Sequence, residues 1–163
     1  MLGALTAFLR ATLPMFDRHA IALGDEEAAV RQYLTVMQHR LGERLRFEVH
    51  LAPAARRWKV PPGLLLTLVE NAIEHGIAPQ LAGGRIDVRA FAEGNTAVIE
   101  VQDDGPGVHA HPSAKTHAGV GLANSRARLT QAFGASATLT LSDAGTGGCL
   151  ARIRFTPALA PSP

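Results

Sequence analysis

The stretch from Pro61 to Gly76, which reads PPGLLLTLVENAIEHG, constrains the fold of this chain more than any other stretch. Its apolar residues recur three and four positions apart, as in an amphipathic helix: Leu64, Leu65, Leu68, Val69, Ala72 and Ile73. The polar residues between them form a stripe on the opposite face: Thr67, Glu70, Asn71, Glu74 and His75. The prolines suit the first turn of such a helix, and Gly76 suits its end.

This polar stripe has two interpretations. Most polar stripes on helices only face water. Alternatively, the Asn71 amide oxygen and the Glu70 carboxylate hold a hard cation such as Mg²⁺, which prefers oxygen ligands. The helix alone favours the solvated face, whereas two glycine-rich segments further along the chain favour a ligand site.

The composition limits the class of protein. A chain of 163 residues with 47% hydrophobic and 18% charged residues predicts one globular domain with a core. A net charge of +2 implies no broad basic surface, so no nucleic-acid partner is expected. Cys149 is the single cysteine, which excludes a disulfide framework and favours a reducing, cytoplasmic setting. No apolar run approaches the roughly 20 residues of a membrane span.

The order of predicted elements is α, β, α, ββ, loop, α, ββ. Because most strands pair as hairpins, this order predicts an α+β fold: a two-layer sandwich with a mostly antiparallel sheet and helices on one face. The predicted helices are 2–13, 25–41 with Asp25 as its cap, 61–76 and 122–133, and residues 15–24 form a linker. The predicted strands are 46–51, 85–92, 96–102, 137–141 and 150–155.

Two glycine-rich segments follow the helix of Asn71. Asp103, with Gly105 and Gly107, lies at the exit of a strand, where its carboxylate could accept the exocyclic amine of adenine; a plain turn is the alternative. Gly119 and Gly121 precede a helix, whose free N–H groups suit phosphate; an ordinary helix-entry turn is the alternative.

The three segments together, in this order, resemble the nitrogen box and the two glycine boxes of the GHKL ATP-binding superfamily, which has the Bergerat fold. The chain is most similar to the catalytic domain of LytS-type sensor histidine kinases. The matching residues of the nitrogen box are Pro61, Pro62, Leu64, Leu65, Leu68, Val69, Glu70, Asn71, Ala72, His75 and Gly76. Those of the second glycine box are Gly119, Gly121, Leu122, Asn124, Arg128 and Leu129. An upstream pattern matches at Glu26, Glu27, Tyr33, Leu34, Arg40, Gly42, Arg44 and Leu45.

The resemblance implies a site for Mg²⁺ and ATP. Asn71 would coordinate the metal that bridges the phosphates, Glu70 and Asn71 would be the catalytic residues, and Asp103 would read adenine. The remaining nucleotide-binding residues would be His75, Gly105, Gly107, Lys115, Gly119, Gly121, Leu122 and Asn124. Residues 108–118 would form the lid over ATP. Three histidines lie in this segment: His109, His111 and His117. They have no Cys or carboxylate at the spacing of zinc ligands, which favours polar lid residues over a zinc site.

Some positions depart from the family pattern. Leu66 and Thr67 replace Gln-Pro, Glu74 replaces a common Lys, and Gly148 replaces a Thr in the last turn. Members that hydrolyse ATP carry a Glu where this chain has Thr67. Slow hydrolysis is therefore expected, as suits a domain that hands the phosphoryl group to a protein side chain.

No phosphoacceptor motif is present, since His19 and His39 lack its context. The expected organisation is a partial dimerisation helix and linker at 1–22, an ATP-binding domain at 23–157 and a disordered tail at 158–163. The expected partners are the phosphoacceptor helix of the parent protein, a response regulator and a second copy of the chain. Two alternatives remain: a stand-alone serine kinase of the anti-sigma type, and a non-catalytic nucleotide-binding module.

Overall fold

The computed structural model describes residues 2–108 and 114–158, with side chains in the helix that begins at 114 described from 121 onward. Four helices are present in this part of the chain: α1 Leu2–Thr12, α2 Leu23–Leu41, α3 Leu64–Asn71 and α4 Ala114–Phe133. A π-helical segment, Ala72–Ile77, continues α3. The strands are β1 Ile21–Ala22, β2 Leu45–Leu51, β3 Lys59–Val60, β4 Gly84–Glu93, β5 Thr96–Asp103, β6 Thr138–Asp143 and β7 Cys149–Phe155. Short 3₁₀ turns lie at Pro14–Asp17, Gly42–Arg44 and Ala55–Arg57.

The main sheet has five strands in the order β2-β4-β5-β7-β6. The pair β2 and β4 is parallel, and the other neighbours are antiparallel. Because strand side chains alternate between faces, one face carries the core residues Ile86, Val88, Ile99, Val101 and Ile153. Helices α2, α3 and α4 pack on this sheet, where they contact β2, β5 and β6 respectively. The predicted α+β sandwich is confirmed.

The other face of the sheet carries charged side chains that pair across strands. Arg85 binds Glu48 at 2.9 Å, Arg152 binds Glu100 at 2.7 Å, and Arg154 binds Glu93 at 2.8 Å. An antiparallel sheet can leave one face to solvent in this way. The sheet therefore supports the helices and any ligand site from one side.

The predicted linker 15–24 is wrong in part. Ile21 and Ala22 form β1, which pairs antiparallel with β3 in a second, two-stranded sheet. Ile21 and its partner Val60 are each 1% exposed. Two-residue strands are too short to produce an alternating pattern, so the sequence does not predict them.

Helices α2 and α3 start at other residues than the sequence predicted. The N-cap of α2 is Ala22, and Asp25 lies in the first turn without capping it. Helix α3 begins at Leu64 because Gly63, with φ +82°, takes a left-handed conformation that interrupts a helix. Both prolines therefore precede the helix, and Gly76 lies inside the π-helical segment instead of ending α3.

Helix α4 is longer than predicted. It begins at Ala114 rather than Leu122, so Gly119 and Gly121 lie within the helix and not before it. A glycine costs about 1 kcal/mol inside a helix, which the alanines and later leucines of this 20-residue helix can offset. Of the predicted lid, residues 114–118 are helical, while 109–113, including His109 and His111, lie outside the described residues. The side chains of Lys115 and His117 also lie outside them.

No helix in the described ranges is long and apolar enough to cross a membrane.

Candidate functional site

Asp103, the last residue of β5, lies directly against the π-helical segment that follows Asn71. A Cβ placed on Gly76 would lie 2.6 Å from the Asp103 Cγ and 2.7 Å and 2.9 Å from its two carboxylate oxygens. Only a residue without a side chain allows this approach. The structural reason for Gly76 is therefore contact with Asp103, which corrects its interpretation as a helix stop.

The Asp103 carboxylate is held by backbone donors on one of its oxygens. Its Oδ1 accepts the N–H of Gly105 at 2.9 Å and the N–H of Cys149 at 3.3 Å. Burial raises the pKa of Asp103, Asp104 adds to this rise, and the two N–H groups and His75 oppose it. Both N–H groups bind Oδ1, and neither binds Oδ2.

The turn after Asp103 packs backbone on backbone. A Cβ on Gly105 would collide with the backbone of Gly76, at 2.6 Å from its Cα and 2.8 Å from its carbonyl carbon. Gly148, with φ +88°, lies so close to the Asp103 carbonyl that a side chain would collide there as well. The glycine at 148, where the family pattern has Thr, is thus required by this local packing. Gly107, at φ +89°, approaches the Asp143 carboxylate, which accepts the Val108 N–H at 2.9 Å.

Asn71 and His75 lie on the helix side of this cleft. Asn71 ends the α-helical part of α3, and His75 lies in the π-helical segment. The buried atoms Asn71 Nδ2 and His75 Nε2 have no hydrogen-bond partner within 2–108 and 114–158. π-Helical turns are frequent at functional sites, and buried polar atoms without partners require a ligand, water or ion. Together these features indicate a ligand site between α3 and the end of β5.

Helix α4 packs against α3 beside the candidate site. A Cβ on Gly121 would lie 3.5 Å from the Thr67 Cγ2, one turn before Asn71. Leu122 is 4% exposed and belongs to the core, whereas Asn124 is exposed. The structure thus brings His75, Gly76, Asp103 and Gly105 together, with Asn71 one helical turn before His75 and Gly121 beside Thr67. It does not bring the amides of Gly119 and Gly121 to a helix N-terminus.

Glu70 lies on the outer side of α3, away from Asp103. Its side chain is exposed, and partial burial together with Glu74 raises its pKa. Its charge acts on Tyr33 of α2, whose ring packs on Phe8 of α1 with centroids 5.7 Å apart. Glu70 therefore lies at the surface, close to the place where α2 contacts α1.

Sequence reasoning missed two residues that shape this region. The sequence indicates a helix end at Gly76, and it names Glu26 only as part of the upstream family pattern. In the structure Glu26 is fully buried, and the Leu66 N–H donates to its Oε1 at 3.1 Å. No local pattern distinguishes such residues, because each role depends on a neighbour distant in the sequence.

The chain is similar to known proteins in both sequence and fold. Residues 63–160 match the model of the histidine kinase-, DNA gyrase B- and HSP90-like ATPase family. The chain is 35% identical over 157 residues to the sensor histidine kinase/phosphatase LytS of Staphylococcus aureus strain MRSA252, which covers 90% of the chain. The chain spans only 27% of the length of that relative.

Solved structures show the same fold. The histidine kinase domain of the Erythrobacter litoralis EL346 blue-light activated histidine kinase aligns with TM-score 0.62 and 20% identity, covering 95% of this chain and 74% of that one. The catalytic domain of histidine kinase ThkA aligns with TM-score 0.62 and 17% identity, covering 85% and 97%. The arrangement of helices over a five-stranded sheet is thus shared with domains of this kind.

Proposed function

The chain belongs to the histidine kinase-, DNA gyrase B- and HSP90-like ATPase family, and we propose that it binds Mg-ATP in the cleft between Asn71 and Asp103 and donates the γ-phosphoryl group to a histidine outside this chain. The observation that carries the proposal is the pair of buried atoms, Asn71 Nδ2 and His75 Nε2, that lack a hydrogen-bond partner in the described part of the chain. Close to His75 lies the Asp103 carboxylate, with one oxygen held by backbone, while Glu74 Oε2 is 3.9 Å from His75 Nε2. This combination fits a flat, polar ligand such as adenine and a phosphate chain.

The adenine end of the proposed site lies at Asp103. A carboxylate oxygen can accept the exocyclic amine of adenine. Gly76 and Gly105 have no side chains, so the backbone packs against Asp103 and fixes the place of its carboxylate. His75 lies beside Asp103 and opposes the rise of its pKa. These contacts would orient the base and fix the direction in which the phosphates leave the pocket.

The phosphate end lies toward Asn71 and α4. The donor set near Asn71 fits Mg²⁺, because a carboxamide supplies an oxygen and the metal keeps several waters or phosphate oxygens as its other ligands. Bound there, Mg²⁺ would neutralise phosphate charge. Gly121 lies next to Thr67, where α4 contacts α3, so residues of α4, with Gly119 and Lys115, remain proposed phosphate contacts. Glu70, exposed beside Asn71, is proposed to face the incoming acceptor.

Replacing Asp103 with Asn tests the adenine end. The variant keeps the shape of the side chain and an oxygen for the Gly105 and Cys149 N–H groups, but it presents an NH₂ group where Oδ2 was. We expect roughly a ten- to hundredfold loss of ADP affinity in calorimetric titration, since a hydrogen bond to a charged group contributes about 1.5–3 kcal/mol. An unchanged affinity in a folded D103N protein would contradict the assignment of adenine to Asp103.

Phosphoryl transfer is expected to exceed hydrolysis. Thr67 cannot act as a base for water, so the chain alone should release phosphate from labelled ATP only slowly. Mixed with a dimerisation domain of a LytS-type kinase that contains the acceptor histidine, it should label that histidine. Transfer to the wild-type domain, but not to one whose acceptor histidine is replaced by Gln, is the predicted result. Binding of ATP without any transfer would contradict the kinase proposal.

The partners are proposed from α1. The leucines of α1 are exposed, as are Leu13 and Phe16 after the helix, and such an apolar surface is costly unless another surface covers it. The exposed leucines are Leu2, Leu5, Leu9 and Leu13. We propose that α1 and the linker, residues 1–22, are part of a dimerisation element of a longer protein and that 23–157 form the ATP-binding domain. A response regulator and a cytoplasmic location follow from the same proposal.

A further inference from the structure

Helix α3 begins without a capping side chain of its own. Its N-cap residue is Gly63, and its first turn contains no acidic residue. The first N–H groups of a helix lack partners inside the helix and need acceptors from elsewhere. For α3 the acceptor comes from another helix, because the Leu66 N–H donates to Glu26 Oε1 of α2 at 3.1 Å, and the amides of Leu65 and Gly63 also favour the ionised Glu26.

We propose that Glu26 is a positioning residue for the nucleotide site: its buried carboxyl group, supplied by α2, holds the N-terminus of α3 and thereby sets the place of Asn71. The inference rests on the proposed function. The carboxyl group is 0% exposed, and its Oε2 has no hydrogen-bond partner among the described residues. Burying a carboxyl group costs free energy, so this group needs a role beyond solubility. Its hydrogen-bond partner, Leu66, lies forty residues away in the sequence.

Three helices meet at Glu26. Helix α3 contributes only backbone amides to it, and α4 contributes the charge of Arg128. On α2 itself the neighbouring Glu27 is engaged elsewhere, with Arg31 at 2.9 Å and Arg56 at 2.8 Å. Because α4 also carries Gly121, which lies against Thr67 of α3, a shift of α3 at its N-terminus would change both sides of the cleft.

The ionisation of Glu26 gives this contact a pH dependence. Burial raises its pKa from 4.5 to about 8, against the opposing effect of the Leu66 and Leu65 amides and Arg128. A folded-state pKa above the unfolded value stabilises the native arrangement fully below about pH 4.5, and this contribution is lost progressively as the pH rises from there through about 8. The arrangement of α3 that binds nucleotide should therefore become less populated in that range.

The test compares three variants by calorimetric titration with Mg-ADP and by amide hydrogen exchange at Leu65 and Leu66. Glu26→Leu removes the acceptor, Glu26→Gln keeps an acceptor but cannot ionise, and Glu27→Gln is the matched control on the same turn. We expect E26L to bind Mg-ADP roughly tenfold more weakly and to exchange the two amides faster. Loss of the acceptor would lower the population of the α3 arrangement that binds nucleotide by about that factor. E26Q and E27Q should bind within about twofold of the parent near pH 7.

The pH profile separates positioning from simple stability. Between about pH 7 and about pH 9 the affinity of the parent and of E27Q should fall several-fold, and that of E26Q should stay level. E26L that binds like the parent, or E26Q that keeps the parent's profile, would overturn the proposal. If E26L does not fold, the profile of E26Q decides. If the parent binds no Mg-ADP, the proposed function fails, and exchange at Leu65 and Leu66 alone then decides whether Glu26 holds α3.

Discussion

Asn71→Ala is expected to remove Mg-nucleotide binding while leaving the domain folded. Asn71 is proposed to bind the metal directly, and even groups that only support a metal ligand cost ten- to a hundredfold when changed, so we expect a loss of at least about a hundredfold. Alanine is a better helix former than asparagine, so α3 should persist. Calorimetric titration with ADP and Mg²⁺, with thermal unfolding in parallel, measures both effects.

Glu74→Ala is the matched control for Asn71. Glu74 lies on the same polar stripe, three positions further along, and its side chain is 67% exposed. Its removal should change affinity little. Equal affinities of the parent and of N71A for ADP with Mg²⁺ would show that the carboxamide does not hold the metal-bound phosphates.

Gly105→Ala is expected to have the largest effect on stability. The new Cβ would collide with the backbone of Gly76, which cannot move aside as a flexible side chain could. Because Gly76 lies in turn against Asp103, any relief would displace the proposed adenine contact. We expect the free energy of unfolding to fall by about 3 kcal/mol, and the melting temperature by roughly 10 °C.

Gly145→Ala provides the comparison for Gly105. A Cβ at Gly145 meets nothing within 4 Å among the described residues, and its backbone does not have a positive φ. This variant should melt within about a degree or two of the parent. A G105A protein as stable as G145A would mean that β5 and the π-helical segment are not packed as described.

The sequence predicted the elements of the sheet because their side chains alternate regularly. It also predicted that Asn71 and Asp103 serve one site, since their motifs resemble a family in which this order recurs. The fold and the membership of that family are confirmed. The assignment of individual residues to nucleotide and metal stays a prediction.

What the sequence could not predict depends on contacts between distant segments. A glycine at a helix end and a glycine required by a neighbouring carboxylate look alike, so Gly76 received the wrong explanation. Gly119 and Gly121 suggested a helix start, yet α4 continues through them. The burial of Glu26 could not be predicted, because nothing in the α2 sequence shows that α3 begins beside it.

The most direct test is a crystal structure of the chain grown with Mg²⁺ and a non-hydrolysable ATP analogue. We predict adenine against Asp103, with its amine at Oδ2, and the metal-bound phosphates at Asn71. Nucleotide bound at another surface, with the space between Asn71 and Asp103 filled only by solvent, would contradict the proposed site.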